Sequence, residues 1–482
     1  MVMKKRSISF FTVLYAILSL ILVGLFLNKV LEIITPSPTA QLQAAIPVEE
    51  RGNPLAIPAF LEDRDPDPMK AFYELDVQYG QMEFFPGVVT ETLGYNGNIL
   101  GPVLRIKRDQ EVRIQVNNQL DEPTTAHWHG LDVDGPYDGG PHQGIMPGES
   151  WTATFSVDQP AATIWYHPHF HHTTGAQVYQ GLAGLIYIED EESEDLNIPK
   201  THGENDFPLV IQDRNFTSDG SFHHNVTMME LEPGEVLLVN ATMDPYLEVN
   251  RELIRLRVLN GSNYENFQLT FSDGSAFHQI ASDGGFLEAP VEMESLFLSP
   301  GERAEILVDF SQVTSDHLAL TTCSDTVLDF YLSGPVASAP AEFPESLVTV
   351  PDIPVGENPT TRTFVLESIG IHGTINGKEF DMDRVDEVVP KGETELWVIH
   401  NADRVGHREG HPFHVHGTQF QVVSRNGNPP PPEEAGFKDT VFVANGEEVV
   451  IKILFHKEGL FMYHCHMLEH EENGMMGQVL VE

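Results

Sequence analysis

A rare cysteine lies among histidines near the C-terminus, in "YHCHMLEHEENGMM" (463–476). The 482 residues contain only two cysteines, Cys323 and Cys465. A disulfide between them would consume the thiol of this motif, so we interpret Cys465 as a free thiol. One thiolate, two imidazoles and a weak thioether are the ligand set of a blue-copper electron-transfer site. The residues that could complete this set are His411, His470 and Met475, with Met476 as the alternative thioether.

Four His-x-His pairs supply a second group of possible metal ligands. Alternate residues of a strand share one face and lie ~6.8 Å apart, so two such imidazoles can bracket one metal ion or reach two neighbouring ions. One pair alone is often a surface or core feature, but four pairs predict a metal site. All-imidazole ligation suits Zn, Cu, Fe or Ni. The pairs are His127/His129, His167/His169, His414/His416 and His464/His466.

The four pairs form an internal repeat. "HWHGL" (127–131) resembles "HVHGT" (414–418), and "WYHPHF" (165–170) resembles "MYHCHM" (462–467). The first and last parts of the chain therefore look like copies of one ancestral unit, with Pro168 at the position of Cys465. Alternation along a strand also predicts that His464 and His466 point to one face and Cys465 to the other. One strand would then contact a mononuclear site on one face and a multinuclear cluster on the other.

The elements that must position these residues are strands. Runs such as "VLRIKRDQEVRIQVNN" (103–118) and "ETELWVIHN" (393–401) alternate apolar and polar residues between Gly, Pro, Asn and Asp. Short strands with frequent turn signals are typical of β-sandwiches. We predict an all-β protein of three consecutive Greek-key β-sandwich domains. Their predicted bounds are 68–192 (domain 1), 205–343 (domain 2) and 358–482 (domain 3), and the His-x-His repeat lies in domains 1 and 3.

Charge and the N-terminus limit the partners and the location. A net charge of −45 repels nucleic acid.

Lys4, Lys5 and Arg6 precede an uncharged run from Ile8 to Leu27, which is long enough to span ~30 Å of bilayer. Residues 1–35 are therefore predicted to be an uncleaved membrane anchor, with a cleaved signal segment as the alternative. The basic flank predicts that the rest is extracytoplasmic, anchored to the cell membrane or secreted, and Pro-rich residues 36–67 are interpreted as a linker.

The motifs "HWHGL", "YHPH", "HPFHVHG" and "YHCHMLEHEENGMM" together resemble the multicopper oxidases, in particular their three-domain bacterial laccase-like and cuprous-oxidase branch. The resemblance runs from about residue 70 to the C-terminus, and it implies three cupredoxin-like domains and four copper ions. It implies a type 1 copper held by His411, Cys465, His470 and axial Met475. It implies a type 2 copper held by His127 and His414, and a type 3 pair held by His129, His167, His169, His416, His464 and His466.

The resemblance implies four one-electron oxidations of a reducing substrate, coupled to reduction of dioxygen to two waters. We expect a phenolic, laccase-like substrate, since the fourteen methionines form no cluster of the kind some cuprous oxidases carry. Oxidation of Cu(I), Fe(II) or Mn(II) in metal tolerance or homeostasis is the alternative, followed by a copper-binding protein without turnover. A copper nitrite reductase is disfavoured, because four His-x-His pairs lie in one chain. We expect a monomer.

Three carboxylates complete the expected site. Oxygen reduction consumes protons, so an acid must lie near the cluster. By resemblance, Asp138 in "YDGGPH" corresponds to the acid near the type 2 copper, and Glu471 to an acid on the oxygen-reducing side. Asp439 in "GFKDTV" corresponds to an acid near the substrate face of the type 1 histidines.

Overall fold

A computed structural model describes residues 36–46, 52–227, 233–323, 325–403 and 410–482. The predicted anchor or signal, residues 1–35, lies outside these ranges. Within them, no helix is both long and apolar enough to cross a membrane.

Domain 1 is a sandwich of two four-stranded sheets, ordered β3-β2-β5-β7 and β4-β9-β8-β6. Its core contains Leu75, Ile114, Trp128 and Tyr166. Helices α2 (Thr174–Tyr179) and α3 (Glu191–Asp195) flank its last strand. The strands are β2 (Lys70–Phe85), β3 (Val88–Tyr95), β4 (Leu104–Lys107), β5 (Glu111–Asn118), β6 (His127–His129), β7 (Ser150–Ser156), β8 (Ala162–His167) and β9 (Gly184–Glu189).

Domain 2 is a larger sandwich, with a six-stranded sheet (β1-β13-β21-β20-β15-β18, where β1 is Asn53–Pro54) and a seven-stranded sheet (β12-β11-β10-β14-β19-β16-β17). It has its own apolar core. The strands are β10 (Asp206–Arg214), β11 (Val236–Val239), β12 (Thr242–Met243), β13 (Pro245–Asn250), β14 (Leu253–Asn260), β15 (Phe267–Phe271), β16 (Phe277–Ser282), β17 (Gly285–Met293), β18 (Leu296–Leu298), β19 (Arg303–Asp309), β20 (His317–Thr322) and β21 (Asp325–Ser333).

Domain 3 has two five-stranded sheets, ordered β23-β22-β25-β29-β27 and β24-β31-β30-β26-β28. Cys465 and Met475 are part of its core, and helix α4 (Leu468–Glu472) follows β30. The predicted all-β fold with three consecutive cupredoxin-like sandwiches is confirmed. The strands are β22 (Thr360–Ile369), β23 (His372–Ile375), β24 (Glu387–Val389), β25 (Thr394–Asn401), β26 (His411–Val415), β27 (Phe420–Arg425), β28 (Thr440–Val443), β29 (Glu448–Leu454), β30 (Gly459–Cys465) and β31 (Met476–Val481).

The segment interpreted as a linker packs against domain 2. Helix α1 (Pro38–Ala44) places the Thr39 hydroxyl against Phe216, accepting from its N–H at 2.8 Å and donating to its carbonyl at 3.2 Å. Strand β1 (Asn53–Pro54) pairs in parallel with β13, and Leu55 joins the core of domain 2. Proline content predicts an extended chain, but it does not reveal that a sheet edge elsewhere takes up that chain's hydrogen bonds.

The repeat in the sequence corresponds to a repeat in strand pairing. In domain 1, β6 and β8 are antiparallel neighbours with His127 opposite His167. In domain 3, β26 and β30 are antiparallel neighbours with His414 opposite His464. Each domain therefore presents two adjacent His-x-His segments on one sheet.

Candidate metal centre

Eight buried histidines from domains 1 and 3 meet in one cluster, which we call the imidazole cluster. Rings from the two domains stack on each other across the interface. His127 stacks on His416 and His129 on His414, each with ring centroids 3.7 Å apart. The structure thus brings together all four predicted pairs: His127, His129, His167, His169, His414, His416, His464 and His466.

Three of these rings point their Nε2 atoms at one another. His464 Nε2 lies 3.1 Å from His169 Nε2 and 3.0 Å from His416 Nε2. Outside the cluster, His416 Nδ1 donates to Asp138 at 2.8 Å and His464 Nδ1 donates to the Cys465 carbonyl at 3.1 Å. These outer bonds fix the tautomers and direct the Nε2 lone pairs inward, as second-shell partners do at metal sites.

Buried ring nitrogens without a partner show that the cluster fits metal ions. Burial lowers the pKa of seven of these imidazoles, that of His464 to about 3, which favours neutral rings with available lone pairs in those seven. Buried polar atoms normally have a hydrogen-bond partner, and a bound metal accounts for the exceptions. Among the described residues, the nitrogens without a partner are His127 Nε2, His129 Nδ1, His167 Nε2, His169 Nδ1, His414 Nε2 and both nitrogens of His466.

The thiol site, comprising His411, Cys465, His470 and Met475, lies in the core of domain 3. Cys465 Sγ is 3.4 Å from His411 Nδ1 and 3.8 Å from His470 Nδ1. Burial raises the pKa of the Cys465 thiol well above its usual value, so a thiolate here requires a compensating cation. Two imidazoles and one thiol within metal-binding distance suit copper, as the sequence predicts.

One strand connects the two sites. On β30 and the residue after it, His464 contacts the imidazole cluster, whereas Cys465 points the other way into the thiol site. His466 follows on the cluster side, with its ring 4.9 Å from that of His129. The two sites are therefore joined through adjacent residues of the backbone.

The Met475 backbone is bonded to Cys465 and His470, and its side chain lies close to a glycine. Its carbonyl accepts from Cys465 N–H at 3.0 Å, and its N–H donates to the His470 carbonyl at 2.8 Å. A Cβ on Gly373 would lie only 2.6 Å from Met475 Cβ and 2.7 Å from its Cε. The glycine on β23 therefore leaves room for the thioether.

We predict that Gly373→Ala displaces the Met475 thioether. Overpacking of this kind typically costs ~1–3 kcal/mol of stability. In the copper-loaded protein we expect an altered visible spectrum of the thiol site, with the copper content of the imidazole cluster unchanged. Gly356→Ala is the matched control, since a Cβ there meets no atom within 4 Å. An unaltered visible spectrum in Gly373→Ala would contradict the close contact.

Asp138 and Glu471 both lie against the imidazole cluster. Asp138 accepts from His416 and lies 3.5 Å from His127 Nδ1. Glu471 carboxylate oxygens lie 3.4 Å from His169 Nδ1 and 3.2 Å from His464 Nδ1. Burial raises the pKa of Glu471 well above its usual value, and the neighbouring Glu472 and Glu469 raise it further. A raised pKa favours the protonated carboxyl, so Glu471 is a candidate proton donor to the cluster.

The contacts of Asp439 differ from those expected of an acid near the substrate face of the type 1 histidines. Asp439 is fully buried on the side of the imidazole cluster, 2.9 Å from His129 Nε2. It makes a bidentate ion pair with Arg303, at 2.7 and 2.6 Å. The motif located an acid near histidines, but sequence spacing does not indicate which face of the domain that acid reaches.

Asp403 is the carboxylate that contacts the thiol site. It accepts from His411 Nε2 at 3.0 Å and from the Ser368 N–H at 2.7 Å. Burial opposes ionisation, but these hydrogen bonds hold the pKa of Asp403 at about 2. The other thiol-site imidazole, His470, donates to the Gly370 carbonyl at 3.2 Å. Sequence reasoning missed Asp403, since nothing marks it except a place eight residues before His411 in a polar loop.

Comparison with known proteins agrees with this geometry. Family models described as "Multicopper oxidase" match residues 76–193, 206–327 and 344–482. The multicopper oxidase mco of Staphylococcus epidermidis is 40% identical over 430 residues, which cover 89% of this chain and 92% of that protein. The cell division protein FtsP of Escherichia coli is 34% identical over 478 residues, covering 93% and 98% respectively.

A solved structure shows the same arrangement of the chain. The laccase of Pediococcus acidilactici superimposes with a TM-score of 0.86 at 39% identity. The match covers 89% of this chain and 94% of the laccase. The similarity thus extends over all three domains.

Proposed function

Because the chain belongs to the multicopper oxidase family, we propose that it couples four one-electron oxidations of a phenolic, laccase-like substrate to the reduction of dioxygen to two waters. The observation that carries this proposal is the strand 464–466, which joins a thiol site to a buried imidazole cluster. Copper, when bound, supplies the one-electron redox chemistry of both sites.

We assign four copper ions to the two sites. The thiol site holds the type 1 ion, and His127 with His414 holds the type 2 ion. The mutual approach of the Nε2 atoms of His169, His416 and His464 supports their assignment to one type 3 ion. The other type 3 ion is assigned to His129, His167 and His466.

The residues of the chain have distinct tasks in the proposed reaction. Cys465 lies between His464 and His466, so an electron received at the thiol site needs to pass only through adjacent residues to reach the cluster. Glu471, beside His169 and His464, is the proposed proton donor as oxygen is reduced. Asp138 orients His416 by accepting a hydrogen bond from its Nδ1. Burial of the cluster excludes bulk water from it.

Substrate oxidation is proposed at the surface next to His411 and His470. Asp403 is bonded to His411 and can accept the proton that a phenol releases with its electron. Ile369, 73% exposed, lies on the chain next to Gly370, whose carbonyl meets His470. Asp403 is bonded to Ser368, the residue before Ile369, and a carboxylate with an exposed apolar residue in the same segment suits an aromatic hydroxyl compound.

Oxygen uptake by the purified, copper-loaded protein tests this proposal. We expect uptake with a phenol, with four phenols oxidised for each dioxygen consumed. The same preparation is compared with Fe(II) and with Cu(I). Uptake with the metal ions alone would replace the phenolic proposal by the metal-oxidase alternative.

A copper-binding protein without turnover is the second candidate, favoured by the similarity to a protein named as a cell division protein. A copper-loaded protein that is blue but consumes no oxygen with phenol, Fe(II) or Cu(I) would support this second candidate. The presence of all twelve predicted ligand residues favours the oxidase.

An extracytoplasmic location, with residues 1–35 as anchor or signal, and a monomeric state remain predictions.

A further inference from the structure

Asp439 lies where the three domains meet. It belongs to domain 3, accepts from His129 Nε2 of domain 1 at 2.9 Å, and pairs with Arg303 of domain 2. Asp439 and Arg303 are 0% and 1% exposed. Thr440, the next residue, also approaches His129 Nε2, at 3.2 Å. A residue of domain 2, which provides none of the predicted copper ligands, is thus one side chain away from the imidazole cluster.

Arg303 is itself held rigidly. Its Nε donates to the Thr163 carbonyl of domain 1 at 3.2 Å, and its Nη1 donates to the Gly301 carbonyl at 3.0 Å. Its Nη2 donates to the Asp283 carbonyl at 2.9 Å, and its backbone N–H donates to the Asp283 carboxylate at 2.8 Å. Because all three nitrogens of the planar guanidinium donate to backbone carbonyls, Arg303 presents two N–H donors to Asp439 in a fixed geometry.

This contact decides which nitrogen His129 presents to the cluster. Donation of Nε2–H to Asp439 places the lone pair on Nδ1, and Nδ1 is buried with no partner among the described residues. Four other cluster histidines are bonded through the other ring nitrogen, with Nδ1 donating to a backbone carbonyl. These are His127, His167, His414 and His464.

We propose that Asp439, clamped by Arg303, is a positioning residue that holds His129 with Nδ1 toward the imidazole cluster. Domain 2 thereby contributes to copper retention in the cluster through Arg303. This inference rests on the proposed function, because it concerns the copper of that site. Carboxylates bonded to ligand histidines fix ring orientation and raise ligand basicity, and their loss typically costs roughly 10–100-fold in metal affinity or activity.

A purely structural ion pair is the competing explanation, and the same domain provides a control for it. Arg257 and Asp206 form another buried bidentate pair, at 2.8 and 2.7 Å. Arg257 also reaches domain 1, through the Thr163 hydroxyl at 2.8 Å. None of the described contacts of this pair involves the imidazole cluster. Asp206→Asn therefore removes a comparable buried carboxylate charge, next to an arginine that reaches domain 1, without touching a proposed ligand.

The test measures copper loss from the full-length, copper-loaded protein against a chelator. We expect Asp439→Asn to lose copper from the imidazole cluster at roughly 10–100-fold lower chelator concentration than the wild type. The near-ultraviolet absorption of the type 3 pair should fall with it, while the blue absorption of the thiol site persists. Arg303→Lys keeps the positive charge but loses the paired donors of the guanidinium, so it should lose copper from the imidazole cluster to a smaller extent than Asp439→Asn. Asp206→Asn should lower the unfolding temperature without changing copper retention.

Equal copper retention and equal type 3 absorption in wild type, Asp439→Asn and Arg303→Lys would overturn the inference and leave the proposed oxidase intact. Copper loss in Asp206→Asn matching that in Asp439→Asn would also overturn it, since destabilisation alone would then explain both. If Asp439→Asn does not fold, Arg303→Lys decides between the same two outcomes. A wild-type protein that binds no copper in the imidazole cluster would instead refute the proposed function.

Discussion

Replacing Cys465 by serine is expected to abolish both the blue colour and substrate oxidation while leaving copper in the imidazole cluster. The Sγ atom lies within 3.4 and 3.8 Å of the two thiol-site imidazoles, whereas a serine hydroxyl is a hard, weakly acidic ligand that does not replace a thiolate at a blue-copper site. The cluster histidines come from both domains and keep their own contacts. Electrons from the substrate would then have no acceptor at the thiol site.

The measurement combines visible absorption, copper per chain and oxygen uptake with the preferred reductant. Oxygen uptake should fall to the level of the copper-free protein. About one copper per chain should be lost, because a blue-copper site requires its thiolate ligand. Cys323→Ser is the matched control, because Cys323 is exposed and its thiol is free. Persistent turnover in Cys465→Ser would mean that electrons are received elsewhere.

Replacing Glu471 by glutamine is expected to give the second-largest effect. Glutamine has nearly the same shape and can retain contact with His169 and His464, but it cannot hold and release the proton that oxygen reduction requires. Loss of a positioned general acid typically costs 10²–10⁴-fold, so we expect a fall in turnover of roughly that size. Copper content should be unchanged.

The readout that separates a proton defect from a binding defect is the colour of the thiol site during turnover. With oxygen reduction slowed, electrons should accumulate and the blue absorption should bleach in air. Glu472→Gln is the control on the same helix, since Glu472 accepts from the Gly175 N–H at 3.0 Å. Wild-type turnover in Glu471→Gln would remove Glu471 from the mechanism.

Local motifs identified the candidate ligands because metal sites of this kind use short spacings on strands. The two residues between His411 and His414, and the alternation from His464 to His466, are consequences of strand geometry that a sequence displays directly. Asp138 and Glu471 were also predicted, by resemblance to acids of the multicopper oxidases. The structure then placed both carboxylates against the cluster.

The errors concern contacts between segments distant in sequence. Asp439 was expected near substrate, and instead it is buried beside His129, whose sequence position is 310 residues away. Asp403 was not identified, because its significance comes from the fold bringing it to His411 and Ser368. The segment 36–67 was interpreted as a linker, and within it the pairing of Asn53–Pro54 with β13 of domain 2 was not foreseen.

The sequence by itself determined the three-sandwich architecture, the twelve candidate copper ligands and the junction at Cys465, because periodicity and ligand spacing are local properties of a chain. Only the tertiary structure decided that the rings of domains 1 and 3 stack at 3.7 Å, that Asp403 faces the thiol site, and that Arg303 of domain 2 supports Asp439. These features depend on how whole sheets pack against one another. Such packing follows from the burial of three separate cores and their interfaces, and no single motif encodes it.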